Sequence, residues 1–74
     1  MSIDLADIQS ALKTISSYSE IELSEDTLTK DFGIDSLDMF EFISILEDQT
    51  GKQVTDEAFS NFNTAHDIIS FFNE

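Results

Sequence analysis

A chain of 74 residues with no cysteine and no proline must hold itself together by side-chain packing alone. Below about 70–80 residues a single core rarely supplies more than about 3–5 kcal/mol, so few apolar residues are spare. Disulfide staples, cysteine-based zinc sites and a cysteine nucleophile are excluded, and a lone histidine, His66, excludes a histidine-rich metal cluster. Seven phenylalanines within a 41% hydrophobic composition provide the mass for one core, too apolar for a disordered acidic tail. Gly33 and Gly51 are the only glycines, and neither a repeat nor a low-complexity tract marks a linker, so a single domain over residues 1–74 is expected.

Periodicity predicts helices. Leu5, Ile8, Leu12 and Ile15 recur at helical spacing between polar residues, which predicts an amphipathic helix over about residues 3–16. Ser2 is its expected N-cap, with Asp4 and Asp7 at the positive helix start and Lys13 toward the negative end. From Ser17 to Asp35 the pattern breaks into a long loop, which Ile21, Leu23, Leu28 and Phe32 are expected to pin to the core. A connection that long must pack as structure to belong in a compact domain.

The second helix begins at Asp35-Ser36-Leu37-Asp38, where Asp35 can cap and Asp38 can reciprocate. Leu37, Phe40, Ile43 and Leu46 follow its period, Phe42 and Ile45 widen the stripe, and Gly51 suits a left-handed stop. Asp56–Phe62 reads as one or two helical turns with Phe59 and Phe62 directed inward. Asn63-Thr64 then caps a final helix from Ala65, whose apolar face is Ile68, Ile69 and Phe72. The expected fold is all-α: a small four-helix bundle of three main helices and one short helix, with a long loop between the first and second.

Sixteen Asp and Glu against three Lys give a net charge of −13. That field disfavours nucleic acid and anionic membranes and favours basic protein surfaces. No stretch approaches the roughly 18 apolar residues of a membrane span, and Met1-Ser2-Ile3-Asp4 has neither a basic nor an apolar leader region. A cytoplasmic monomer without stable membrane insertion is the expectation.

The segment Asp31-Phe32-Gly33-Ile34-Asp35-Ser36-Leu37-Asp38 delivers a serine from a glycine turn to the first turn of a helix. Serine suits helix starts better than interiors, and the backbone N–H groups there favour an attached anion, although Asp35 and Asp38 oppose it. The segment resembles the Asp-x-Gly-x-Asp-Ser-Leu motif of the acyl carrier protein family, with every fixed position present. The likeness extends over nearly the whole chain in length, charge and helix order.

The resemblance implies that a phosphopantetheinyl transferase attaches 4′-phosphopantetheine to Ser36. The arm's thiol then carries acyl cargo as a thioester between enzymes of fatty acid, polyketide or related specialised biosynthesis. Ser36 is on that reading an attachment point, the chain has no catalytic residue of its own, and the missing cysteine is no obstacle. Asp35, Asp38, Glu41, Glu47 and Asp48 would face the basic docking patches of acyl-loading and acyl-processing enzymes, with Leu37 and Met39 beside the serine as further contacts. Asp35 before the serine looks more like an acyl carrier than a peptidyl carrier, where histidine often precedes it. Val54-Thr55 stands where common fatty-acid-synthesis members show an aliphatic-proline pair, which leaves a specialised pathway open.

Other readings fit less well. A calcium loop beginning at Asp31 would need an acidic third position, a glycine sixth and a glutamate twelfth, where Gly33, Ser36 and Phe42 stand. Asp31-Phe32-Gly33 spells a kinase signature, but a chain of 74 residues holds nothing else of a kinase. No Gly-x-Ser-x-Gly elbow surrounds Ser36, and His66 is expected at a solvated helix rim. No dedicated metal site is expected. An unmodified acidic interaction domain shares the fold and the charge, and Ser36 is what separates it from a carrier.

Overall fold

The computed structural model describes residues 3–15 and 22–74. The first helix, α1, spans Leu5–Ile15. Asp4 and Asp7 cap it reciprocally, each carboxylate accepting the other residue's backbone N–H at 3.0 and 3.2 Å. That two-way bond starts the helix at Leu5 rather than at residue 3. Ser2, the expected cap, lies outside the described residues. Ile8, Ala11 and Leu12 are buried, with Leu5 and Ile15 packed at the core's edge.

Helix α2, Ser36–Thr50, is the longest of the described helices. Asp35 caps it by accepting the Asp38 N–H at 2.8 Å. Gly51 ends it at φ 76°, its N–H donating to the Glu47 carbonyl at 2.7 Å. This left-handed backbone strains any residue with a Cβ. The buried face is Phe42, Ile43 and Leu46, flanked by Met39 and Ile45. The expected stripe is corrected at its start, because Leu37 is 77% and Phe40 58% exposed. With 3.6 residues per turn, Leu37 lies nearly opposite Phe42, so a period anchored on Leu37 is rotated off the true core face.

The connection from residue 22 to α2 is structured. Phe32, fully buried, meets the buried Phe42 edge-on with centroids 5.8 Å apart. Leu23 is half-buried, Leu28 is exposed rather than a core pin, and Ile21 lies outside the described residues. Backbone pairing does the rest: Thr29 N–H donates to the Asn63 carbonyl, and Ala65 and His66 N–H donate to Thr27 and Glu25 carbonyls, all at 2.9 Å. The loop thus satisfies two of the N–H groups that the last helix leaves without intrahelical partners. A single 3₁₀ turn, Thr29–Asp31, then leads to the buried Phe32.

Helix α3 is short, Asp56–Ser60, ending before the expected Phe62. Helix α4 spans Ala65–Phe72, and Thr64 and Asp67 form a complete capping box at its start. Ile68 and Phe72 are buried, while Ile69 sits half-buried beside them. Phe59 and Phe62 are half-buried and join a ladder of rings, Phe40–Phe59–Phe62–Phe71–Phe72, with successive centroids 4.9, 6.4, 5.5 and 5.3 Å apart. This ladder ties the five-residue α3 to both its neighbours, which a helix so short cannot do through a buried stripe.

Two side chains close the ends. The Asn73 amide donates to the Ile3 carbonyl at 3.0 Å and accepts the Ile3 N–H at 2.8 Å, joining the first described residue to the C-terminal helix. Lys52 donates to the Phe71 carbonyl at 2.7 Å and lies 4.4 Å from the centre of the Phe71 ring. The architecture is an all-α bundle of three longer helices and one short one. No helix among the described residues is long and apolar enough to cross a membrane.

Candidate functional site: a serine at the start of α2

Burial of Phe32 fixes the approach to α2. Gly33 then turns the backbone at φ 79°, a left-handed conformation that glycine adopts without a steric penalty. Ile34 returns partway to the core, Asp35 caps, and Ser36 emerges as the first helical residue, exposed to solvent. No hydrogen bond to the described residues occupies its hydroxyl. The serine is therefore accessible and held by its neighbours' packing rather than by its own contacts.

Ser36 lines an open groove of about 560 Å³. Ile34, Met39, Phe40 and Phe59 form its apolar wall, and Thr29 and Lys30 add polar groups. Among the described residues, Lys30 is the only basic one lining the groove. It offsets Asp35 and, with the positive start of α2, favours an anion carried at residue 36. A second groove of about 420 Å³, bounded by Glu57, Phe62, Asp67 and Glu74, lies away from the serine.

The other sequence-predicted residues divide by position. Asp35 is exposed and Asp38 and Met39 are half-buried. Leu37, Glu41 and Asp48 are exposed and recur at helical spacing along one face of α2, with Ser44 between them. Glu47 departs from them: it is half-buried, and its carboxylate accepts the Val54 N–H at 2.7 Å, which anchors the segment leading into α3.

His66 is exposed, as its place at a helix start suggests. Its Nδ1 meets Glu25 Oε1 at 2.9 Å, and its Nε2 lies 3.2 Å from the Ser70 hydroxyl, so both ring nitrogens face groups other than Ser36. The hydrogen bond to Glu25, aided by the Glu25, Asp67 and Asp26 charges, raises its pKa above 6.5. Backbone N–H groups of Asn63 and Thr64 hold the Asp67 carboxyl below its ordinary value. Among the described residues no cluster of three or more carboxylates or histidines gathers to hold a metal ion.

Neither the Phe40–Phe59 stack nor the placement of Lys30 is legible in the sequence. Phe40 fits a helical period and so reads as core, and no local signal reports which ring will meet it from another helix.

A family model described as "Phosphopantetheine attachment site" matches residues 2–72. No solved structure matches the chain.

Proposed function

The chain belongs to the phosphopantetheine attachment site family, whose members carry 4′-phosphopantetheine covalently, and from that premise we propose that Ser36 bears the arm. The observation that carries this reading is an exposed serine hydroxyl, free of hydrogen bonds to the described residues, at the first position of α2. The surroundings fit the group: the helix start and Lys30 suit a phosphate, and the apolar groove wall suits an acyl chain at the arm's far end. When attached, the arm supplies a terminal thiol that holds an acyl group as a thioester.

The chain's own residues present and steer. Phe32 and Asp35 hold the serine at the helix start, and Gly33 supplies the left-handed turn that leads to it. Asp35, Asp38, Glu41 and Asp48 offer carboxylates to the basic patches of a phosphopantetheinyl transferase and of acyl-loading and acyl-processing enzymes. Leu37, 77% exposed, gives those partners an apolar contact on the same face. Rim charges of this kind speed encounter more than they tighten binding, which suits a carrier that must leave each partner. Glu47 serves the fold, through Val54, rather than docking.

The carrier is non-catalytic, a cytoplasmic monomer with one domain over residues 1–74, and works in fatty acid, polyketide or related specialised biosynthesis. Its test is labelling with a fluorescent coenzyme A analogue and a broad-specificity transferase. The wild-type chain takes up label and Ser36→Ala takes up none. A wild-type chain that stays unlabelled with several active transferases is instead an unmodified acidic interaction domain.

A further inference from the structure

We infer that the stacked Phe40 and Phe59 rings are an external platform for the apolar cargo tethered at Ser36, and that they keep this cargo out of the bundle's interior. The inference rests on Ser36 as the attachment point. Phe40 lies one helical turn beyond Ser36 on α2, and both line the same groove. The residue is 58% exposed, yet its ring lies nearly parallel to that of Phe59, with an interplanar angle of 12° and centroids 4.9 Å apart. A large aromatic left this open beside an attachment serine presents apolar surface that water covers poorly.

The same stack bridges α2 and α3 next to the serine. Cargo passing between these helices must part the two rings. Phe59 does not yield alone, because Phe62 and Phe71 connect it to Phe72, which is 3% exposed. The core against which Phe59 packs includes Phe42, Leu46 and Ile68, each fully buried. Inserting a chain among them displaces close-packed side chains, whereas laying it along the groove displaces water.

The occupant is the acyl chain on the protein's own arm. The groove offers a cation, Lys30, and an apolar wall of Ile34, Met39, Phe40 and Phe59, and an arm that begins in a phosphate and ends in an acyl chain has the same two-part chemistry. Its volume of about 560 Å³ falls in the range of about 300–1,000 Å³ typical of small-ligand sites. A covalent tether supplies the effective concentration that so open a groove needs.

The test compares chains loaded from coenzyme A and from octanoyl-coenzyme A by a broad-specificity transferase, each confirmed by intact mass, using side-chain and amide NMR. The octanoyl chain is expected to shift the Met39, Phe40 and Phe59 resonances and to leave those of Leu46 and Ile68 in place. Its thioester should stay open to neutral hydroxylamine. In Phe40→Leu, which keeps apolar bulk but removes the flat ring, the shift at Phe59 should shrink. Octanoyl-induced shifts at Leu46 and Ile68, with a thioester protected from hydroxylamine, would overturn the platform while leaving Ser36 as the attachment point. An unmodified wild-type chain in the mass spectrum would overturn both.

Discussion

Replacing Phe32 with alanine should nearly unfold this protein, because one buried ring ties the long connection to α2. Phe32 is 0% exposed and packs edge-on against Phe42, itself 0% exposed. Truncating a buried phenylalanine costs about 3–5 kcal/mol, of which the ring pair accounts for about 0.5–1.5 kcal/mol. A single core of this size holds about 3–5 kcal/mol, so the variant should sit close to its unfolding midpoint in water. Phe40→Ala is the internal control. With the residue 58% exposed, it loses roughly two-fifths of a buried side chain and one stacking contact, or roughly 1–2.5 kcal/mol together. Urea unfolding followed by far-ultraviolet circular dichroism reads both, with Phe32→Leu added as a milder variant that stays folded. A Phe32→Ala cost no larger than that of Phe40→Ala would refute the claim that this ring anchors the approach to the serine.

Further outcomes concern the caps and the charge. Thr64→Ala breaks the α4 capping box and should cost about 1 kcal/mol in the same denaturation assay, as should Asp35→Ala, which frees the Asp38 N–H. His66 has a raised pKa in the folded state, so its stabilising contribution is complete below its unfolded value and is lost as pH rises through the folded one. The melting temperature of wild type should therefore exceed that of His66→Gln by more at about pH 5.5 than at about pH 8.5, and a gap that widens with pH would contradict the Glu25 pairing. Since the net charge is −13, added salt or Mg²⁺ should raise the melting temperature by screening carboxylate repulsion, and a flat titration would show that repulsion is unimportant.

What the sequence reveals is local. Asp35 and Gly51 mark the two ends of α2, and Thr64 marks the start of α4, because capping joins residues only a few positions apart. The exposed Ser36 obeys the same local rule. Leu37 and Phe40 follow the helical period yet lie exposed, because periodicity gives a helix's repeat but not the direction of its buried face, which the packing of α1 sets; for Leu37 that exposure suits the contact role expected beside the serine. Asp4 and Asp7 cap α1 together, a choice among neighbouring acceptors that composition does not rank. The Asn73–Ile3 pair, the Phe40–Phe59 stack and the loop's bonds to Ala65 and His66 join residues far apart in sequence. They depend on the finished fold and leave no trace in any short window.

Fragment-ion mass spectrometry of the chain treated with coenzyme A and a transferase bears most directly on the central claim. The account predicts one added phosphopantetheine, carried by the peptide containing Ser36 and located on that serine. An addition located on Ser44, Ser60, Ser70 or any other hydroxyl would contradict it, since the start of α2 would then not be where the arm is held.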